Sequence, residues 1–267
     1  MIYSFFNIAR KYFVIVIMLL ILSTYQLYRA TAAASEVKRY TVRIVQTLPH
    51  NPQSFTQGLV YDRGSLYEST GLYGKSSLQQ IDAQTGVVRK VLPVPDVFAE
   101  GLTRWENRLI QLTWQEQTAF IYNLTDFSKL GAFQYDTEGW GLTADEQYLI
   151  MSDGTDVLYF RDPVSFETVR AVHVTFEGKP LERLNELEYI QGLIYANVWY
   201  EDFIVQINPA DGAVTGWIDA SSLRRMQPPL NADSVLNGIA YRAETNTLYL
   251  TGKNWPVLFE VTLVQGF

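Results

Sequence analysis

From Glu36 onward the apolar positions fall in short runs broken by turn-forming residues, with no long stretch of helical period. An apolar pair after a small or acidic residue recurs in Gln57-Gly-Leu-Val-Tyr61, Glu100-Gly-Leu-Thr103, Trp140-Gly-Leu-Thr143, Asn185-Glu-Leu-Glu-Tyr189 and Asn237-Gly-Ile-Ala-Tyr241. The second positions of these runs are 58, 101, 141, 186 and 238, in steps of 43, 40, 45 and 52. Each run is followed by a second strand-like run, such as Leu66–Gly71 or Leu109–Trp114, and then a third, such as Leu78–Ile81 or Phe120–Tyr122. In the first four units a turn and a fourth run close the unit, as in Val87–Leu92 and Ala213–Ile218. Four strands every ~40–50 residues predict a β-propeller, here with five blades. The fifth unit lacks its fourth strand, because the chain reaches Phe267 soon after the third. A spare strand with period-2 alternation, Tyr40–Thr47, lies at the other end. Paired into the last blade, it would close the ring and leave no open edge there. The expected fold is therefore all-β: a five-bladed propeller over residues 37–267, closed by its N-terminal strand. A β-sandwich of similar strand count does not predict this repeat. The longest connection, around Pro228-Pro229, accounts for the step of 52.

Composition agrees and removes some chemistry. Aromatics make up 14% of the chain, with 17 Tyr and 6 Trp, which favours strands. The chain has no cysteine, which rules out disulfides, thiolate zinc sites and a Cys nucleophile. Its two histidines, His50 and His173, are far apart, which argues against a His-rich metal site or a Ser-His-Asp hydrolase. His50, in Leu-Pro-His-Asn-Pro, reads as loop structure. Trp105, Trp217 and Trp255 read as packing residues, and Asn123-Leu-Thr is formally a glycosylation sequon. The formal charge of −7 argues against nucleic-acid binding.

Before the repeat, Arg10 and Lys11 precede an apolar run from Tyr12 to Leu22, then Ser23–Arg29 and the small residues Ala30-Thr-Ala-Ala-Ala34. A basic start, an apolar core of about 7–15 residues and small residues before a cut describe a secretory signal over residues 1–34. The competing reading is an uncleaved anchor attached through residues 12–28. Either one places the domain outside the cytoplasm, periplasmic or secreted, and it is expected to be a monomer. Residues 1–34 hold three of the 21 basic residues and none of the 28 acidic ones, so the remainder carries −10.

Chemistry is expected where the repeat breaks. The residue before each Gly-Leu pair opens an innermost strand, and the residue closing the second strand lies near the same end, because the two run antiparallel. The second positions keep Gly58, Gly101, Gly141 and Gly238, with Glu186 the exception. The openings diverge (Gln57, Glu100, Trp140, Asn185, Asn237), and so do the exits (Gly71, Trp114, Gly154, Trp199, Lys253). One channel mouth then carries a single carboxylate, an ammonium, three indoles and several amides. Each has a plainer reading: a strand Trp more often packs in a core, a Glu near a Lys more often forms a structural ion pair, and amides beside Gly usually serve turns. A desolvated carboxyl among indoles, by contrast, suits proton transfer at neutral pH, with indoles as apolar walls and N–H donors. The residues alone lead to a small polar substrate and acid–base chemistry without a metal or other cofactor.

Several longer stretches carry a resemblance. They are Pro49–Leu59, Leu66–Ser77, Glu100–Thr103, Gly139-Trp-Gly-Leu142, Ser152-Asp-Gly-Thr155, Arg183–Tyr189, Val235–Ala240 and Leu250–Pro256. In this order they resemble the plant and bacterial glutaminyl-peptide cyclotransferases over about residues 40–262. That resemblance implies a five-bladed propeller and conversion of N-terminal glutamine to pyroglutamate with release of ammonia. The implied partners are peptides or proteins with N-terminal glutamine. It implies Glu100 as the proton-transferring acid, aromatic walls at Phe55, Phe98, Trp114, Trp140 and Trp199, and polar positions at Gln57, Asn185 and Lys253. The oxyanion donor stays open among Gln57, Asn185, Lys253 and an indole N–H, and Lys253 can equally set the pKa of Glu100. Two other classes stand beside this reading: a non-catalytic propeller that binds peptides or a partner at the same mouth, and a metal-dependent propeller lactonase or hydrolase.

Overall fold

The structure, a computed structural model, describes residues 37–266; the segment expected as a signal or anchor lies outside the described residues. Blade 1 is β2 (Thr56–Asp62), β3 (Ser65–Thr70), β4 (Ser77–Asp82) and β5 (Val88–Pro93). Blade 2 is β6 (Ala99–Trp105), β7 (Arg108–Thr113), β8 (Thr118–Asn123) and β9 (Lys129–Gln134). Blade 3 is β10 (Leu142–Ala144), β11 (Leu149–Ser152), β12 (Val157–Arg161) and β13 (Thr168–His173). Blade 4 is β16 (Leu184–Ile190), β17 (Leu193–Val198), β18 (Phe203–Ile207) and β19 (Val214–Asp219). Blade 5 is β20 (Leu236–Arg242), β21 (Thr247–Gly252) and β22 (Val257–Gln265), completed by β1 (Lys38–Pro49). Within each blade, successive strands pair antiparallel. The innermost strands β2, β6, β10, β16 and β20 each pack against the next, and β20 packs back on β2, so the ring is closed.

Closure follows the expected route and adds a seam. β1 pairs antiparallel with β22 from Tyr40–Gln265 to Pro49–Val257, and its first residues also run parallel to β19, Lys38 opposite Gly216. Blades 4 and 5 thereby share one eight-stranded sheet. Two features were not legible beforehand: the hairpin of β14 (Thr175–Phe176) and β15 (Lys179–Pro180), and one helical turn, α1 (Ser221–Arg225), in the long connection before blade 5. The turns into the outer strands share one device. Asp82, Asn123, Asp162 and Asn208 each accept a backbone N–H two residues on, the Asx turn these side chains favour.

Apolar faces meet between the blades. Val60, Tyr67 and Leu78 of blade 1 pack on Leu102, Leu109 and Tyr122 of blade 2, and Leu59 and Leu66 pack on Tyr249 and Leu258 of blade 5. Trp255 is fully buried, and its indole N–H donates to Ser234 O at 2.9 Å. Trp217 packs on Phe203 and Trp105 borders the core of blades 2 and 3, so all three packing assignments hold. A narrow ring forces the inner strands close together. A Cβ at Gly141 would overlap the carbonyl of Asn185 on the next inner strand, and backbone cannot swing aside as a side chain can. Gly141→Ala is therefore expected to destabilise by about 1–3 kcal/mol, the usual range for overpacking. It should appear as a lower denaturant midpoint at unchanged slope, and an unchanged midpoint would contradict this close approach.

The exception at the repeated glycine, Glu186, is fully buried. Its two oxygens accept the N–H groups of Leu59, in blade 1, at 3.1 Å and of Ile239, in blade 5, at 2.9 Å. Blade 4 thus holds two other inner strands with one side chain. Burial, and then neighbouring Glu188, push its carboxyl well above the ordinary range.

His50 lies in a loop, as expected, but its side chain does more than shape a turn. It follows β1 directly and is buried. Nε2 lies 2.9 Å from Glu68 Oε1 and Nδ1 2.6 Å from Trp255 O. Both partners are acceptors, which favours the doubly protonated ring. Burial alone would lower the imidazole pKa; the Glu68 charge and hydrogen bond and the Trp255 carbonyl outweigh it, and the net shift is upward. Thr56 Oγ1 donates to the same Glu68 oxygen at 2.6 Å. A buried ion pair therefore fastens the end of the closing strand to blades 1 and 5.

Candidate active site

A kink in each inner strand builds the site. At the repeated motif the pairing of inner and second strand slips by one residue. Thr56 faces Thr70, but Gly58 already faces Ser69, so Gln57 is the extra residue. Glu100-Gly101, Asn185-Glu186 and Asn237-Gly238 likewise each stand as two residues opposite one. In blade 3, Trp140 N–H bonds to Ser152 O while Ser152 N–H bonds to Gly141 O, the same two-against-one pattern. Such bulges bend the strand and re-aim a side chain, which turns these residues toward the mouth rather than into a sheet face.

All nine residues expected at the mouth line one cavity of about 170 Å³: Phe55, Gln57, Phe98, Glu100, Trp114, Trp140, Asn185, Trp199 and Lys253. Gln57, Glu100, Asn185 and Lys253 are buried and form a polar floor, while the five aromatic rings are half-buried and form the walls. Phe98 stands edge-on to both Phe55 (6.1 Å) and Trp114 (5.6 Å), and Trp140 stands edge-on to Trp199 (5.3 Å).

Glu100 Oε1 accepts Gln57 Nε2 at 2.9 Å. Asn237 Nδ2 donates to Gln57 Oε1 at 3.3 Å and to Thr56 O at 2.9 Å, which orients the Gln57 amide toward Glu100. Asn237 was legible as a divergent opening position, but its part in the site appears only in three dimensions. Glu100 Oε2 has no hydrogen bond in the described protein and is not sealed from the cavity. Burial raises the Glu100 pKa well above the carboxylate range; Lys253 opposes this shift, and Glu138 and Glu116 add to it. Burial lowers the Lys253 pKa to about 8, against the pull of Glu100 and Asp233. Lys253 Nζ sits 4.8 Å above the Phe55 ring and 5.9 Å from the Trp199 ring. Lys253 and Glu100 feel each other's charge across the floor without a direct ion pair. The plainer reading of a structural salt bridge therefore does not describe them.

The indole N–H groups of Trp114 and Trp140 are not free donors: both bond to Glu138, at 2.7 and 3.0 Å. Sequence reasoning passed over Glu138, although it stands directly before Gly139-Trp-Gly-Leu142. Asn185 Oδ1 is buried without a partner. The described residues contain no group of three or more His, Cys, Asp or Glu placed to hold a metal.

Known proteins share this sequence and fold. A family model described as glutamine cyclotransferase matches residues 15–263. The glutaminyl-peptide cyclotransferase of Arabidopsis thaliana is 41% identical over 230 residues, 84% of this chain and 72% of that protein. The crystal structure of Myxococcus xanthus glutaminyl cyclase superposes with a TM-score of 0.83 at 39% identity, covering 87% of this chain and 100% of that one. By its repeat, its closed ring and its sequence over nearly the whole propeller, the chain belongs to the glutamine cyclotransferase family.

Proposed function

We propose that the mouth cyclises the N-terminal glutamine of peptides and proteins to pyroglutamate, with Glu100 carrying the proton. The observation behind this reading is the buried Glu100 carboxyl, fixed at one oxygen by Gln57 and open to the cavity at the other. The α-amine, with an ordinary pKa of about 8, must be neutral to attack. The aromatic walls fold the glutamine side chain back on its own amine, so that attack on the γ-carbonyl becomes a preorganised ring closure. The new C–N bond forms between the α-nitrogen and the γ-carbon. Glu100 Oε2 takes a proton from that nitrogen and returns one to the departing amide nitrogen, and ammonia leaves with no net change in the protein. The Trp114 and Trp140 N–H groups are taken by Glu138, so the donors left for the developing oxyanion are Lys253, the Asn185 amide, the second N–H of Gln57 Nε2 and the Trp199 indole.

Incubating a Gln-Ala-type peptide and finding the mass loss of one ammonia by mass spectrometry tests the reading. No loss above the uncatalysed rate across several peptides would leave the non-catalytic binder in its place. Inactivation by a chelator would favour the metal-dependent class. A second expectation concerns pH. The substrate amine must lose its proton near 8, and Lys253, its pKa lowered to about 8, must keep its own. The profile of kcat/KM should be a narrow bell around that value, with Lys253→Met removing the alkaline limb; an unchanged alkaline limb would exclude Lys253. We also place the domain outside the cytoplasm as a monomer, on the basic and apolar run of residues 10–22 and the closed ring. Cell fractionation and size-exclusion chromatography check these two points.

A further inference from the structure

The aromatic wall consists of two separate groups of rings. Phe55, Phe98 and Trp114 form one, from blades 1 and 2; Trp140 and Trp199 form the other, from blades 3 and 4. No ring contact among the described residues joins Trp114 to Trp140. They meet instead at a single oxygen, Glu138 Oε2, which accepts Trp114 Nε1 at 2.7 Å and Trp140 Nε1 at 3.0 Å. The other oxygen accepts Gln115 Nε2 at 3.3 Å.

The backbone around this carboxylate is fixed. Gly139 N–H donates to Trp114 O at 3.0 Å, and Trp114 N–H donates to Phe98 O at 2.9 Å. A Cβ at Gly139 would strike the Tyr135 hydroxyl and the Thr113 carbonyl, and Gly154 lies against the face of the Trp140 indole, where a Cβ would crowd the ring. Burial would raise the Glu138 pKa, but its bonds to Trp140, Trp114 and Gln115 more than offset this and lower it, so the side chain is a carboxylate at neutral pH. An ionised acceptor makes stronger hydrogen bonds than a neutral one.

We propose that Glu138 is a positioning residue for the cyclisation: it clamps the indoles of Trp114 and Trp140 in one geometry and so holds the two halves of the wall at the spacing that folds the glutamine side chain. It acts through the indoles and does not exchange a proton with the substrate. The proposal rests on the cyclase reading of the pocket. Rate depends steeply on such spacing, since displacements near 1 Å can cost about 100-fold.

The test compares Glu138→Ala and Glu138→Gln, alone and in a Trp114→Phe/Trp140→Phe background that keeps rings but removes both N–H groups. Ammonia release from a Gln-Ala-type peptide and tryptophan fluorescence are the readouts. Glu138→Ala should lower kcat/KM about 10–100-fold and shift the emission. Glu138→Gln, which keeps an acceptor oxygen for the indoles but makes weaker, uncharged bonds, should lose clearly less than Glu138→Ala. In the Phe background, adding Glu138→Ala should change kcat/KM less than about 2-fold, because coupled residues are not additive. Full activity in Glu138→Ala would overturn the proposal. So would an equal loss with Gln, which would assign the effect to charge, or an undiminished loss in the Phe background. Should Glu138→Ala fail to fold, Glu138→Met fills the same space without an acceptor and is judged by the same outcomes. If the unaltered protein releases no ammonia, the cyclase reading fails, while the emission shift still decides whether the clamp exists.

Discussion

Glu100→Gln is expected to lower kcat for ammonia release by about 10²–10⁴-fold, the range for a positioned proton carrier, with little change in KM. The substitution is nearly isosteric. A glutamine at this position can still accept the Gln57 amide and fill the same floor, so walls and binding should persist. Proton traffic is what it removes, because an amide neither takes the proton of the attacking amine nor supplies one to the leaving nitrogen. A variant that still binds a Gln-peptide, by calorimetry, yet releases no ammonia would separate the enzyme from the non-catalytic binder. Retention of more than about a tenth of kcat would remove Glu100 from the chemistry. The surroundings support the assignment: burial raises this carboxyl well above its ordinary range, so it exchanges protons nearer neutrality than a surface glutamate does.

The second large effect concerns stability. His50→Ala should destabilise by about 3–5 kcal/mol, because it leaves Glu68 as a buried carboxylate without its cation. The pH dependence has a definite sign. The folded imidazole has its pKa raised above the ordinary 6.5. The ion pair's contribution is therefore complete below that value and is lost as pH rises through the folded one. The gap in unfolding free energy between the unaltered protein and His50→Ala should be widest below pH 6.5 and narrow as pH rises above it. Glu186 and Glu188 also titrate upward, Glu188 to about 8, and as acids held protonated by burial they lose stability as pH rises above their ordinary value. Both proteins share that loss, so the difference isolates His50. A gap that stays constant across this window would mean that the buried pair is not charged.

How much of this could be read from the chain depends on which interactions are local. Strand identity and blade count are repetitive and local. Period-2 runs, Asx turns at Asp82, Asn123, Asp162 and Asn208, and glycines at 58, 101, 141 and 238 recur because each blade solves the same packing problem. The divergence of Gln57, Glu100, Trp140 and Asn185 against that background marked the mouth, since a scaffold position has no reason to change in every blade. The register slip that turns those residues into the cavity was not visible, because a bulge is defined by the partner strand and not by its own sequence.

By itself, then, the sequence determined the five-unit ring, its closure by the first strand and seven of the nine pocket residues, the family resemblance adding Phe55 and Phe98. Tertiary structure alone decided what connects them. His50 lies in a loop, and only Glu68 and Trp255, the latter 205 positions away, show that it is buried and paired. Glu186 broke the glycine pattern, and only the ring shows its two oxygens holding blades 1 and 5. Glu138 is an ordinary acid in sequence and the joint of the aromatic wall in space. The physical reason is common to all three. A polar side chain is understood through the partners that compensate its burial, and each of these three has a partner far from it along the chain: Trp255 for His50, Leu59 and Ile239 for Glu186, and Trp114 for Glu138.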